Sequence, residues 1–308
     1  YNYGSFEAQK GYIMSNELST NFAGSDLAAL MGFGGAGEAV SSGPNLARLT
    51  QIQAPIMQEV VDEDGELEEK VIVPLGAFKL KDTEGNEVYS RSITVRLFAN
   101  RNQWTQWDTT ESKMHKTLMV QTVKGVIKGE HKDTRGTFNL NRPSKYIPDW
   151  DSIDDKTKEV LRTVKNTQVI FGKVVLGKAV DAQGNTVKGY NKEIPFVFDL
   201  KNNDSKKSLA AALEEVLAMA LLPIEHTITL GSRKETLPSG NKYAVVVASL
   251  GSKSAMKSED EGLARDFIDY IDRANDYVLS EWKRLNKPDV AIDPAILDAI
   301  VQVEEAPY

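Results

Sequence analysis

Two tryptophans stand three positions apart in residues 98–116, FANRNQWTQWDTTESKMHK, among basic and polar side chains. Indole rings stack on flat groups, and lysine and arginine attract anions. Trp104 and Trp107 therefore have two interpretations, an exposed stacking platform or anchors of a hydrophobic core. Few aliphatic residues accompany them to form a helical or strand pattern, so the stretch is interpreted as a loop, which favours the platform.

Cations and aromatic rings interleave through the basic block, residues 96–145, which holds 10 Lys or Arg against 4 Asp or Glu, a local charge of +6. Proteins that bind single-stranded nucleic acid need this combination, because cations follow the phosphates while bases stack on rings. Taken alone, each ring is more often a core residue and a lysine excess is more often a solvated face. The predicted nucleic-acid-binding residues are Arg96, Phe98, Arg101, Trp104, Trp107, Lys113, Lys116, Lys124, Lys128, Lys132, Arg135, Phe138, Arg142, Lys145 and Tyr146.

The acidic excess collects at the C-terminal end of the chain. Residues 255–308 contain 13 Asp or Glu and 6 Lys or Arg, a net charge of −7 that equals the net charge of all 308 residues. The preceding 254 residues balance at 31 acidic against 31 basic residues. A basic middle attracts polyanions, and an acidic end repels them or binds another partner.

Short motifs that match catalytic or cofactor-binding patterns lack the neighbouring elements or companion motifs that those patterns require. Gly32, Gly34 and Gly37 have G-x-G-x-x-G spacing, but no strand precedes them and no helix follows, so they are assigned to a flexible linker. The SAMK segment at 254–257 lacks the companion motifs of serine–lysine enzymes, and no G-x-S-x-G is present. We therefore predict that the protein is not an enzyme.

Metal and cofactor sites are not predicted either. Cysteine is absent, which removes thiolate ligands and disulfides. His115, His131 and His226 lie far apart without ligand-spaced partners, so we predict no zinc and no cofactor. The acidic groups at 62–69 and 149–155 lack calcium-loop spacing and are assigned to a solvated turn and a helix N-terminus.

Composition divides the chain into four parts. Residues 1–13 precede Met14 and are assigned to a tag or linker, and the Gly- and Ser-rich residues 14–48 to a flexible arm. Residues 49–252 are predicted to be a β-rich domain with an insertion at 130–166, and 253–308 an acidic helical segment and tail. No apolar run approaches the roughly 20 residues of a membrane-spanning helix, so we expect a soluble protein without a membrane partner.

Alternating residues define the strand that leads into the basic block. EKVIVPLGAFKLKD and EVYSRSITVRLFAN are strand-like runs that DTEGN at 82–86 joins, which predicts a hairpin. In the second run, one face carries Ile93, Val95 and Leu97 and the other carries Thr94, Arg96 and Phe98. The first set is predicted to face the core and the second to face outward.

Later elements suggest a curled sheet. Strands are predicted at 116–129, 167–180, 186–200, 225–231 and 241–250, with a helix at 205–222 between the third and the fourth. This order is typical of the five-stranded oligonucleotide-binding (OB) barrel, and Gly172 predicts a bulge or bend that lets the sheet curl. The predicted class is therefore α+β and β-rich, with an OB-like antiparallel sheet or barrel and an amphipathic C-terminal helix at 260–285. A mixed α+β sandwich is the alternative.

The combination of a barrel-like β core, basic aromatic grooves and an acidic end with a terminal aromatic residue resembles the single-stranded DNA-binding proteins of tailed bacteriophages. The resemblance implies sequence-tolerant DNA binding in replication or transcription, in the cytoplasm of an infected bacterium. It also implies that Glu304, Glu305 and Tyr308 form a tail that recruits polymerases or other replication and transcription proteins. A homo-oligomer is compatible with this family. The alternative is a virion or structural protein whose terminal segments make subunit contacts.

Overall fold

The computed structural model describes residues 46–61, 66–121, 129–143 and 151–287. The strands are β1 (Ala47–Gln51), β2 (Ile56–Val61), β3 (Leu67–Val73), β4 (Phe78–Lys81), β5 (Glu87–Ser90), β6 (Ile93–Asp108), β7 (Lys113–Lys116), β8 (Lys165–Val175), β9 (Ile194–Leu200), β10 (His226–Thr236) and β11 (Lys242–Lys253). The α-helices are α1 (Asp155–Thr163), α2 (Asn203–Ala218) and α3 (Ser258–Leu285), with short 3-10 helices at Asn139–Asn141 and Pro223–Glu225. The predicted α+β, strand-rich class is confirmed.

Nine strands form one sheet in the order β11-β10-β6-β8-β9-β1-β4-β5, with β7 paired to the end of β6. Each pairing in it is antiparallel except that of β1 with β9. Within the described residues the two end strands, β5 and β11, do not pair, so the sheet is open and closure into a barrel is not confirmed. Strand β8 pairs with β6, and the strand predicted at 116–129 falls largely on residues 122–128, which lie outside the described ranges.

Each face of the sheet packs against one long helix. On the first face, Ile93, Val95 and Leu97 join a core that includes Leu209 of α2, as their alternation predicts. On the second face, Phe98 and Phe171 pack against α3, whose Phe267 is fully buried between them. The amphipathic pattern predicted for 260–285 is therefore confirmed as a docked helix. Among the described helices, none has the length and apolarity needed to cross a membrane.

Gly172 lies where the sheet departs from regular register, as its position in an apolar strand predicts. The pairing of β6 with β8 slips by one residue between Leu97 and Ala99, opposite Gly172 and Phe171. A Cβ atom on Gly172 would lie 2.2 Å from the carbonyl oxygen of Arg96, so this close approach requires glycine.

Aspartate side chains stabilise one predicted turn and one predicted helix N-terminus by accepting hydrogen bonds from backbone N–H groups. The predicted hairpin is β4–β5, where Asp82 accepts backbone N–H groups of Glu84 and Asn86 and Gly85 has a φ of 93°. At 149–155 the predicted helix N-terminus is confirmed: Asp154 caps α1 by accepting the Thr157 N–H at 2.9 Å.

A separate hairpin, β2–β3, leaves the sheet and forms an arm with little burial. Its exposed apolar side chains are Met57, Val61, Leu67 and Val71. The run at 69–82 was predicted as one strand, but it divides into β3 and β4 at Pro74–Gly76, where Gly76 adopts a φ of 89°. The arm is therefore an element that the sequence interpretation merged with the core.

Candidate functional site

The stretch that holds both tryptophans is a strand and a hairpin, not a loop. Strand β6 runs on to Asp108, where the carboxylate Oδ1 accepts the N–H groups of Thr110 and Glu111 at 2.8 and 3.1 Å. The chain then turns back as β7, which pairs Trp107 with Met114. The loop prediction is wrong because β6 is held by backbone pairing, with β8 up to Thr105 and with β7 from Thr105 to Asp108, which needs no apolar alternation.

Four of the predicted binding residues are buried, so their predicted surface placement is wrong. Arg96 is 2% exposed, Phe98 0%, Arg101 6% and Trp104 5%. Helix α3 covers Phe98, whose ring centre lies 5.5 Å from that of Phe267. Alternation in β6 correctly separates the two faces, but it does not reveal that a distant helix covers the second one.

Arg96 belongs to a buried ion network at the N-terminus of α3. Its guanidinium donates to Asp260 at 2.6 Å, to Glu193 at 2.9 Å and to the carbonyl oxygen of Ile224 at 3.0 Å. Lys173 donates to the other oxygen of Asp260 at 2.5 Å. Burial disfavours the charged carboxylate, yet hydrogen bonds from Lys173, the Lys257 N–H and Arg96 hold the pKa of Asp260 below its ordinary value. This network fixes α3 on the sheet.

Trp104 and Arg142 form part of a smaller core. Trp104 packs with Leu140 and Val164, and the guanidinium carbon of Arg142 lies 4.5 Å from its ring centre. Arg142 also donates to the carbonyl oxygens of Leu161 and Val164 at 3.2 and 3.3 Å. Both predicted contact residues therefore stabilise the segment that leads into β8.

A second group of predicted residues does reach the surface. Trp107 is 54% exposed and Phe138 is 44% exposed. The ring of Phe138 lies 5.7 Å from that of Trp282 on α3, and Lys132 places its Nζ 4.5 Å from the centre of the same indole. Trp282 is held in place because its Nε1–H donates to the carbonyl oxygen of Thr137 at 3.1 Å.

Lys116 continues this arrangement along α3, with its Nζ 5.7 Å from the ring centre of Tyr277, which is 45% exposed. Burial lowers the pKa of Lys116, Asp199 opposes that shift and Arg48 adds to it. We call the group Trp107, Lys116, Lys132, Phe138, Tyr277 and Trp282 the aromatic–lysine surface.

Two further cations of the basic block are paired with acids at the edge of this surface. Lys113 lies 3.9 Å from Glu281, and Arg135 forms an ion pair with Asp108. Asp108 and Lys113 face each other across the β6–β7 register, beside Trp107 and Met114. These contacts connect Trp107 to the segment of α3 that carries Trp282.

Part of the prediction falls on residues that the structure does not describe. Lys124, Lys128, Lys145 and Tyr146 lie outside the described ranges, as do the predicted tail residues Glu304, Glu305 and Tyr308. Their roles remain predictions.

Sequence reasoning missed two contributors to the surface, Tyr277 and Trp282. The signal was present, because Trp282 continues the amphipathic pattern of α3 beyond the buried Val278. What the pattern does not reveal is that the last two turns of α3 pass over the 131–138 segment, where Asn286 also donates to the Gly136 carbonyl oxygen at 2.8 Å.

Sequence reasoning also missed the surroundings of His115. The structure brings its ring together with Asp108 and Glu111, with one potential ligand atom from each residue within 4.8 Å of the others. Burial is the main cause that lowers the pKa of His115, and the charge of Arg135 adds to it, so the surroundings favour the neutral ring. The sequence-based prediction compared His115 only with the other histidines, and it did not consider the two carboxylates, Asp108 and Glu111, that precede His115 in DTTESKMH.

Comparison with family models, with curated proteins and with solved structures gives no match to this chain.

Proposed function

We propose that the protein is a sequence-tolerant single-stranded DNA-binding protein that uses the aromatic–lysine surface. The observation that carries the proposal is the group around Trp282, where Lys132 lies over the indole and the exposed Phe138 lies beside it. Rings that stack on bases and cations that neutralise phosphates are the two components such binding needs. An accessory role in phage replication or transcription is part of the same proposal.

The topology supports an OB-like interpretation of the central sheet. The order β11-β10-β6-β8-β9 equals 5-4-1-2-3 of an OB fold when β6 is counted as the first strand, and α2 joins the third strand to the fourth. In OB folds, the connections between strands 1 and 2 and between strands 4 and 5 contribute to nucleic-acid binding. Here the first of these connections contains β7 and the 131–138 segment, which carry Lys116, Lys132 and Phe138.

The surface replaces the two-tryptophan platform as the proposed site. Trp107 remains in it, while Trp104, Phe98 and Arg96 are buried and are no longer part of the proposed site. Lys116 and Lys132 lie over Tyr277 and Trp282, so the rings that we propose for base stacking are the exposed Trp107 and Phe138, and the two lysines would be the cations that attract the phosphates.

The proposal is tested by titrating the full chain with labelled oligo(dT) and following fluorescence anisotropy at two salt concentrations. We expect saturable binding that weakens steeply as salt rises, because counterions are released from the DNA. Intrinsic tryptophan fluorescence should be quenched in parallel. No anisotropy change and no gel shift at low salt would contradict the proposal.

Single substitutions locate the site. Trp107→Ala and Phe138→Ala are each expected to weaken oligo(dT) binding by roughly 5- to 150-fold, the loss of one base stack. Leu217→Ala is the matched control, because Leu217 is an equally exposed apolar residue, 48% exposed, on α2 over the other face of the sheet. If the control weakens binding as much as the two ring variants, the site is not this surface.

The β2–β3 arm favours a second candidate function, that of a structural protein with subunit contacts. Val61 and Leu67, opposite each other across the hairpin, are 65% and 71% exposed. Apolar side chains on a projecting hairpin are typical of a segment that another chain covers. Salt-insensitive assemblies that form without DNA would favour this function over DNA binding.

A further inference from the structure

The β6–β7 turn carries three potential metal ligands. Asp108 ends β6, Glu111 lies in the turn, and His115 lies in β7. Their ligand atoms all lie within 4.8 Å of one another. His115 is 4% exposed, whereas the side chain of Glu111 is 59% exposed, so the cluster is closed on one side and open to solvent on the other.

The imidazole of His115 is oriented toward the two carboxylates. Its Nδ1 lies 3.2 Å from Thr134 Oγ1, and the same hydroxyl oxygen accepts the Lys116 N–H at 3.1 Å. When Nδ1–H donates to Thr134, Nε2 keeps its lone pair. A hydrogen bond from the second ring nitrogen to a protein acceptor is the usual way in which a ligating histidine is fixed.

Nε2 is buried and has no hydrogen-bond partner. It nevertheless lies 3.3 Å from Glu111 Oε2, in a direction that does not make a hydrogen bond. Two ligand atoms that each lie about 2.0 to 2.1 Å from a tetrahedral zinc ion are themselves roughly 3.3 to 3.4 Å apart. The separation between His115 Nε2 and Glu111 Oε2 therefore matches that of two ligands of one zinc ion.

Asp108 is held in place as a third ligand. Oδ1 accepts two backbone N–H groups, from Thr110 and Glu111, and Oδ2 accepts a hydrogen bond from Arg135. An ionised carboxylate has about four lone-pair positions, so one remains for a cation. The positive charge of Arg135 opposes a cation here, which makes the expected affinity lower than that of a four-ligand structural zinc site.

We propose that Asp108, Glu111 and His115 form a binding site for a zinc-type divalent cation, with the fourth coordination position open to water. The site would clamp the turn that follows Trp107. It stands independently of the proposed DNA binding, since it rests on a different set of side chains and needs no nucleic acid.

Isothermal titration calorimetry of the full chain with ZnCl₂ tests the site, and Co²⁺ absorption in the visible range reports tetrahedral coordination. We expect one site that Glu111→Gln weakens at least tenfold. Glu111→Gln should not disturb folding, because the side chain is exposed. Glu214→Gln, an exposed glutamate on α2, is the matched control and should leave zinc affinity unchanged.

His115→Gln provides a second variant, with thermal unfolding measured with and without zinc. The metal should raise the melting temperature of the wild-type chain and of Glu214→Gln, and this rise should disappear in Glu111→Gln and His115→Gln. The proposal is overturned if zinc does not bind, or if it binds equally to the wild-type chain and to both ligand variants. Tight binding of Mg²⁺ with no preference for zinc would also overturn it, because magnesium does not favour imidazole.

Discussion

At the scale of single residues, Trp104 and Trp107 show how three positions along one strand separate a core residue from a surface residue. Residues three apart in a strand point to opposite faces. Trp104 is 5% exposed and packs with Leu140 and Val164 beneath Arg142. Trp107 is 54% exposed and faces Met114 across the hairpin. The two rings therefore have different energetic roles.

Alanine substitutions should separate these roles. Trp104→Ala is expected to lower the free energy of unfolding by about 3 to 5 kcal/mol, because it leaves a cavity in a small core. Trp107→Ala should lower it by less than about 1 kcal/mol. Urea denaturation followed by circular dichroism measures both values. Equal losses would show that Trp107 is also part of the core.

Residue type and local pattern did not predict which of the basic and aromatic residues are buried. Trp107 and Phe138 are exposed, as predicted from the basic block, whereas Phe98 and Arg96, which were predicted at the surface, are buried. A fully buried arginine is rare because burying its charge is costly without partners. Its partner Asp260 lies 164 residues away, a separation that no local pattern reveals.

At the scale of elements, α3 is the helix that determines which residues of β6 reach solvent. Its sequence predicts an amphipathic helix, and Phe267, Ile268 and Ile271 are buried as the pattern requires. The pattern does not predict that Asp260, in the first turn, is also buried, with 0% exposure. That position is explained by Arg96 and Lys173, which reach it from β6 and β8.

Asp260→Ala should therefore destabilise the docked helix. We expect a loss of about 3 to 5 kcal/mol at pH 7, because Arg96 and Lys173 are left buried without their shared carboxylate. Glu259→Ala is the control. The side chain of Glu259, the residue before Asp260, is 63% exposed, so its removal should lower the free energy of unfolding only slightly. Denaturant midpoints at constant m-value give both numbers.

The stabilisation by Asp260 should depend on pH, and the Asp260→Ala variant measures this dependence. The folded-state pKa of Asp260 lies below its ordinary value, so its contribution is present above about pH 4 and is lost as the pH falls through the folded-state pKa. The difference between the wild-type chain and Asp260→Ala should therefore narrow as the pH is lowered from 5 toward 2. A constant difference would mean that packing, not charge, is the cause.

At the scale of the whole molecule, the open sheet combines local pairs with distant ones. The hairpin β4–β5, the helix α2 and the order of strands after residue 165 follow from turns and alternation, and the sequence predicts them. The pairings of β1 with β9 and of β6 with β10 join segments far apart in the chain. These long-range pairings join β1, β4 and β5 at one side and β10 and β11 at the other to the central strands, which gives the nine-stranded sheet of the described residues.

The β2–β3 arm forms a two-stranded sheet of its own, separate from the nine-stranded sheet. Residues 58–70 carry seven acidic residues and one lysine, and the described ones among them, 58–61 and 66–70, belong to the β2–β3 hairpin. A two-residue Asn-Gly turn between the paired Met57 and Val71 should close the shortened hairpin, because this dipeptide favours the turn that joins antiparallel strands. Ile56 and Ile72, which pack against the sheet, are retained.

Replacing residues 58–70 by Asn-Gly should leave the melting temperature within about 2 °C of the wild-type value, because the described residues among them, 58–61 and 66–70, contribute little buried apolar surface. A fall of more than about 5 °C, measured by differential scanning calorimetry, would show that the arm supports the fold. Light scattering on the same variant separates the two candidate functions. Unchanged oligo(dT) affinity with an unchanged mass favours DNA binding without the arm, whereas a loss of oligomers assigns the arm to contacts between subunits.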